Sequence, residues 1–172
     1  MKLSPTYRTP FRRRRLGRTD YKKRLKLLLS QKPRLVVRKS LKYITVQIVE
    51  FDPKGDKTLA SATSKELKKL GWKFACDNLP AAYLTGLLIG KRSVEKKIAE
   101  AVLDSGLYAS TKGSRIYALV KGAMDAGLNV PVSEEVLPSE EKISGRHIAT
   151  YLERFKNLSE EFEKIKQNIL SG

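Results

Sequence analysis

Residues 34–48 read Arg34-Leu35-Val36-Val37-Arg38-Lys39-Ser40-Leu41-Lys42-Tyr43-Ile44-Thr45-Val46-Gln47-Ile48, and this stretch decides the fold. Leu35 to Arg38 is a short apolar run of the kind that forms a strand. Lys39-Ser40-Leu41-Lys42 is a tight turn, after which Ile44, Val46 and Ile48 alternate with Thr45 and Gln47 in the period of two that defines a second, longer strand. Pro53-Lys54-Gly55-Asp56 marks another turn and Thr58 to Ala62 a third strand. Three successive antiparallel strands are the simplest pairing.

Downstream the period changes to that of helices. Thr63-Ser64-Lys65-Glu66 matches a capping box and predicts a short helix that Gly71 ends. Asn78, with Pro80 in the first turn, opens a long helix carrying Leu84, Leu87, Leu88, Val94 and Ile98 at helical spacing. Gly86 and Gly90, four apart, suit a close approach to the sheet. Ala99 to Leu103, before Asp104-Ser105-Gly106, reads as a fourth, buried strand. A second long helix places Ile116, Leu119, Val120, Ala123 and Met124 on one stripe and stops at Gly127. The order βββαβα predicts an α/β fold: one mixed, mostly antiparallel sheet with helices packed on it.

Both ends extend this core. Residues 1–18 contain Pro5, Pro10, Gly17 and the run Arg12-Arg13-Arg14-Arg15, and like-charge repulsion is expected to keep them extended as a basic arm. Thr19 and Asp20 offer an N-cap for a short helix through about Leu29, with Leu25, Leu28 and Leu29 on a docking face and Lys22, Lys23 and Lys26 elsewhere. Pro131 to Ser139 is an acid-rich linker. Beyond it, Ile148, Tyr151, Phe155, Leu158, Phe162, Ile165 and Ile169 step by three and four. That predicts one long amphipathic helix, its stripe lying on the chain's own sheet or on a neighbouring protein. The expected division is 1–18 arm, 19–130 core, and 131–172 linker and C-terminal helix.

The 172 residues carry a formal net charge of +17, which points to a polyanionic partner, nucleic acid before an anionic membrane. Residues 1–43 hold 16 Lys and Arg against the single acid Asp20, while the remaining 129 residues hold 19 against 17. The chain is therefore a nearly neutral globule with a cationic front. Cys76 is the only cysteine, so there is no intramolecular disulfide and no Cys-based zinc site, as suits a reducing cytoplasm. No apolar run is long enough to span a membrane, and the start Met-Lys-Leu-Ser-Pro-Thr-Tyr-Arg has no apolar signal region.

Guanidinium groups bind phosphate oxygens bidentately and keep their charge, so four in succession suit a groove lined by RNA backbone; a solvated tail or a sorting signal is the plainer alternative. Arg34, Arg38, Lys39 and Lys42 continue the positive charge onto strands and a turn, which favours RNA. Tyr7, Phe11, Tyr21 and Tyr43, interleaved with these cations, could stack on bases, though Tyr21 and Tyr43 also fit packing against the sheet. At Lys112-Gly113-Ser114-Arg115, free amides, a flexible glycine and two cations precede a helix, as in an anion site or an ordinary polar turn.

Catalytic constellations are missing. His147 is the lone histidine and suits a solvent-facing helical position. Gly90-Lys91-Arg92 falls in mid-helix, with Thr85 where a phosphate-binding loop needs glycine. Asp104 at a strand end suits a cap or loop anchor; a metal-dependent nuclease of RNase H-like architecture is the alternative that would make it catalytic. A general DNA-coating protein is the other rival. Trp72, Phe74 and Cys76 read as packing beside a turn.

Tyr-Arg-Thr-Pro-Phe-Arg-Arg-Arg-Arg from Tyr7, Arg-Thr-Asp-Tyr from Arg18, Lys-Pro-Arg-Leu-Val-Val-Arg-Lys-Ser from Lys32, Pro-Ala-Ala-Tyr-Leu-Thr-Gly-Leu-Leu from Pro80, Ala-Val-Leu-Asp-Ser-Gly-Leu from Ala101 and Thr-Lys-Gly-Ser-Arg from Thr111 occur in that order. Together, over about residues 7 to 150, they resemble the archaeal branch of ribosomal protein large-subunit eighteen, whose eukaryotic counterpart is numbered five. The resemblance implies an α/β fold of the translational-machinery-component type and a noncatalytic protein of the cytoplasmic ribosome, without cofactor, metal or membrane. It implies binding to 5S rRNA, contact with 23S rRNA in the central protuberance, and proximity to the other 5S-binding protein, number five in bacterial numbering. By position it puts RNA contacts on Arg12, Arg13, Arg14, Arg15, Arg18, Tyr21, Lys22 and Arg24, on Arg38, Lys39, Ser40 and Lys42, and on Lys112, Gly113, Ser114 and Arg115. The chain departs from many relatives at Leu41-Lys42-Tyr43 and at Asp104-Ser105-Gly106.

Overall fold

β1 (Arg34–Lys39), β2 (Ile44–Glu50), β3 (Lys57–Thr63) and β4 (Val102–Asp104) form one sheet in the order β3-β2-β1-β4. The computed structural model describes residues 5–171; the first four residues of the expected arm, which are also the first half of the stretch read for a signal region, lie outside the described residues, as does Gly172. β1 and β2 are antiparallel, with Leu35 opposite Ile48 and Val37 opposite Val46, and β3 is antiparallel to β2. The alternation read from the sequence places Leu35, Val37, Ile44, Val46 and Ile48 on one face, each at most 1% exposed. Ser40 closes the hairpin: its amide donates to Tyr43 O at 2.8 Å and its hydroxyl oxygen accepts from the Tyr43 amide at 3.0 Å.

β4 runs parallel to β1 at the sheet edge, with Leu35 opposite Leu103. It is three residues long rather than the expected five, and its Val102 and Leu103 are half-buried. Residues 99–101 are diverted: the Ala101 amide donates to Asn129 O at 3.0 Å and the Asn129 amide to Ala99 O at 2.9 Å.

α3 (Leu79–Glu95) and α4 (Arg115–Asp125) pack on the sheet and on each other. Asn78 caps α3, its side chain accepting from the Ala81 amide at 2.9 Å. The small residues of α3 serve α4 rather than the sheet: a Cβ on Gly86 would lie 2.0 Å from Leu119 O, and one on Gly122 of α4 2.2 Å from Tyr83 O. Only backbones without side chains come that close. Between β3 and α3 the capping box forms a 3₁₀ turn over Ser64–Leu70, the Thr63 amide donating to Glu66 Oε1 at 2.9 Å, and Gly71 ends it at φ 97°. Trp72 and Cys76 are buried as expected, and burial pushes the Cys76 thiol up.

The long C-terminal helix is broken into α5 (Glu140–Ile143), α6 (Arg146–Tyr151), a 3₁₀ turn at Glu153–Phe155 and α7 (Leu158–Ser171). Two backbone conformations break it: Gly145 is left-handed at φ 75°, and Leu152 is extended at φ −124°, ψ 110°. The reversal lets Leu158, Phe162, Ile165 and Ile169 fold back onto Tyr83, Leu84 and Leu87 of α3 and onto Leu67 and Trp72, forming a second core. The stripe thus lies on the chain's own body, but on α3 and not on the sheet, and Tyr151, expected on the stripe, is 85% exposed.

At the other end, α2 (Tyr21–Leu28) is the short helix expected after Thr19 and Asp20, while α1 (Arg12–Arg15) forms a helical turn within the arm expected to be extended. The arginine run takes one helical turn because Phe11 O accepts from the Arg14 and Arg15 amides at 2.9 and 3.1 Å, a local gain that outweighs repulsion between exposed, hydrated charges. Asp20 caps α2 through the Lys22 and Lys23 amides. Its leucine face does not dock as expected: Leu25 and Leu29 are 61% and 74% exposed. The side toward the body is occupied by Lys23 and Arg24, whose charges find partners there.

Candidate nucleic-acid interface

In one turn of α1 each residue rotates by about 100°, so the four exposed guanidinium groups fan out around the N-terminal end of the molecule. The turn is seated by the Phe11 ring, 5.3 Å from that of Tyr21, and by Arg13, whose Nε donates to Thr19 Oγ1 at 2.9 Å. Tyr21 is therefore engaged with Phe11 and half-buried, as a packing ring. Lys22 remains exposed on α2.

α2 is tied to the body by polar contacts. Lys23 Nζ donates to Ser105 Oγ at 3.1 Å and to Gly106 O at 2.9 Å, while Arg24 Nη2 lies 2.9 Å from both oxygens of Asp56. Beneath them Arg34, 3% exposed, donates to Asp104 Oδ2 at 3.0 Å and to Asp56 Oδ2 at 2.6 Å. Arg34 is thus a structural ion-pair residue and not, as expected from its place in the basic run, part of the surface charge. Asp104 Oδ1 accepts from Arg38 Nη2 at 3.3 Å and from the Gly106 amide at 2.8 Å, and Arg38 Nη1 also donates to Asp104 O at 2.9 Å. One edge of the Arg38 guanidinium is clamped, and the half-exposed side chain opens into a cleft shared with Arg13, Arg18 and Arg24.

Both oxygens of Asp104 are committed to these donors, so it acts as an anchor. Among the described residues no group of three or more His, Cys, Asp or Glu could hold a metal ion. His147 lies exposed on α6.

The loop after β4 joins this cleft to the β1–β2 hairpin. Tyr108 Oη donates to Lys39 O at 2.6 Å, and Lys39 Nζ lies 4.9 Å from the centre of the Tyr108 ring. Lys42 is exposed at the hairpin tip, where Leu41 is 94% exposed, and the Ser40 hydroxyl is consumed in closing the turn. Farther along, Lys112-Gly113-Ser114-Arg115 turns inward more than expected. The Gly113 amide donates to Val136 O at 2.9 Å and the Ser114 amide to Thr111 O at 3.2 Å, so these two amides are not free. Arg115 Nη1 donates to Asp77 O at 2.7 Å and Asp77 Oδ2 at 3.2 Å, and Lys112 Nζ lies 3.5 Å from Glu135 Oε2. Asp77 borders the same hollow as Lys42 and Tyr43, so hairpin tip and loop are neighbours.

The fold therefore brings Arg13, Arg18, Arg24 and Arg38 together, fans Arg12, Arg14 and Arg15 beside them, and continues the surface through Lys39 and Lys42 to Arg115. Three contributors escaped the sequence reading. Asp56 was legible only as a turn residue, with no sequence signal of its arginine partners. Lys23 was placed off the docking face, and Tyr108 carries no local signal at all.

A cationic face on an α/β scaffold, its deepest acid already paired with arginines, is the arrangement of a protein that meets a polyanion. Comparison with known proteins gives the family. A family model described as "Ribosomal large subunit proteins 60S L5, and 50S L18" matches residues 5–101 and 93–133, and the chain belongs to this family. It is also 51% identical over 164 residues, 95% of this chain and 85% of the relative, to the large ribosomal subunit protein uL18 of the archaeon Methanococcus maripaludis. The protein is a structural constituent of the large ribosomal subunit.

Proposed function

We propose that within the large subunit this protein binds 5S rRNA and attaches it to 23S rRNA in the central protuberance, beside the other 5S-binding protein, number five in bacterial numbering. The observation that carries the reading is the convergence of Arg13, Arg18, Arg24 and Arg38, from three separate segments, on one cleft next to the exposed arginine turn. A-form RNA exposes phosphates and 2′-hydroxyls for recognition by shape, and a cationic cleft beside a fan of guanidiniums fits that chemistry. The contacts are proposed on Arg12 to Arg15, Arg18, Lys22, Arg24, Arg38, Lys39, Lys42, Lys112 and Arg115, with Tyr21, Ser40, Gly113 and Ser114 shaping the backbone that presents them. The role is noncatalytic: affinity comes largely from residues 1–18, and selectivity from the body.

The test is binding of purified protein to 5S rRNA, to an RNA duplex of equal length and to duplex DNA across a salt series. If roughly 6 to 10 phosphates are neutralised, affinity falls about 10³- to 10⁵-fold between 50 and 200 mM salt. Deleting residues 1–18 is expected to weaken binding to all three and flatten the slope. Equal affinity for the three nucleic acids, or indifference to 5S rRNA at near-physiological salt, overturns the reading.

A further inference from the structure

We propose that Asp56 is a phosphate surrogate: its carboxylate occupies, in the free protein, the part of Arg24 that an RNA phosphate takes in the complex, which makes Asp56 a determinant of specificity. The inference rests on the RNA-binding reading above.

Asp56 is an acid set at the end of the β2–β3 turn against the most basic surface of the molecule. Both its oxygens lie 2.9 Å from Arg24 Nη2, and one also lies 2.6 Å from Arg34 Nη2. The two arginines differ in kind. Arg34 is buried and doubly paired, so it stays, whereas the Arg24 and Asp56 side chains are 35% and 25% exposed, and Arg24 lines the cleft. A phosphodiester offers a guanidinium the same pair of oxygens and the same single charge as a carboxylate. Exchange at Arg24 leaves that guanidinium with one anionic partner, and the displaced Asp56 keeps Arg34 as its partner. α2 has no buried residue, so little apolar packing resists the small movement that exchange requires.

Partly exposed ion pairs are weak, so the exchange is easy for a ligand whose shape sets a phosphate in the cleft. A generic duplex, meeting the arginine fan first, finds Nη2 of Arg24 occupied and its charge balanced unless it displaces the acid. Asp56 thereby withholds one cation from indiscriminate binding.

The experiment compares Asp56→Asn with Asp52→Asn, which removes an acid from the same turn but one paired with Lys57 at 2.8 Å, in wild-type and Arg24→Ala backgrounds. Binding of a generic RNA duplex and of 5S rRNA is measured against salt. Asp56→Asn is expected to bind the generic duplex roughly two- to fivefold more tightly, with a log–log salt slope steeper by about 0.9. The gain is smaller on 5S rRNA, it disappears in the Arg24→Ala background, and Asp52→Asn shows less than half of it. Weaker duplex binding by Asp56→Asn, a gain matched by Asp52→Asn, or a gain that survives loss of Arg24 overturns the proposal. The duplex cycle is read without 5S rRNA, so failure of the surrogate role is distinguishable from failure of the wild-type protein to prefer 5S rRNA.

Discussion

Arg34 and Asp104 form a buried ion pair across the parallel seam of the sheet, Nη1 to Oδ2 at 3.0 Å, with side chains 4% and 9% exposed. The pair joins β1 to β4 where only three residues of β4 pair with β1. Removing one member leaves a charge in a poorly solvated place, a loss of about 3–5 kcal/mol in comparable buried pairs. Asp104→Ala is therefore expected to lower unfolding stability by roughly 3 kcal/mol, because Arg34 retains Asp56. Urea unfolding checks this, and a loss under about 1 kcal/mol would show the pair to be solvated.

Gly86→Ala should destabilise, although alanine is the better helix former by about 1 kcal/mol. The new methyl would meet Leu119 O at 2.0 Å, forcing α3 and α4 apart. Overpacking typically costs about 1–3 kcal/mol, and a clash with backbone sits at the upper end or beyond, so the net loss should be roughly 2 kcal/mol or more by thermal or urea unfolding. A stabilised variant would contradict the close backbone approach.

Phe162→Ala on α7 should cost about 3–5 kcal/mol, because the ring is 2% exposed and packs 5.6 Å from Tyr83. An α7 that merely waited for a neighbouring protein would lose little in the isolated chain, so the same unfolding measurement separates the two destinations of the apolar stripe.

Glu66 predicts an acid-side dependence. Burial pushes its carboxyl up, but the hydrogen bonds from Arg92 and the Thr63 amide, with the charges of Arg92 and Lys69, outweigh burial and hold it below its usual 4.5. A depressed carboxylate contributes stability that is present above the unfolded value and lost as pH falls through the folded one. Stability should therefore drop below about pH 4.5, and Glu66→Gln should flatten that part of the profile. An identical acid limb in the variant would remove Glu66 from the account.

Much of the architecture was legible because local patterns report local physics. The alternation at Ile44, Val46 and Ile48, the caps at Asp20, Thr63 and Asn78, and the stop at Gly127 each depend on a few neighbouring residues, and each recurs in the fold. The misplaced elements depended on distant ones. Gly86 and Gly90 announced a close approach but not its partner, and the three-and-four spacing of the C-terminal stripe survives although Gly145 and Leu152 break the helix that should carry it. Among the proposed contacts, Arg12 to Arg15 were identifiable from composition alone. The burial of Arg34 was not, since nothing beside it in the chain reveals that Asp56 and Asp104 converge on it.

The sequence by itself determined the charge, its concentration in the first 43 residues, the strand and helix periods and the motifs that resemble a ribosomal family. Tertiary structure alone decided which cations are spent inside and which are left for a partner. Charge is a property of a residue, but its availability depends on what the folded chain places within about 3 Å of it, and for Arg24, Arg34 and Arg38 those partners lie 22 to 70 residues away in sequence.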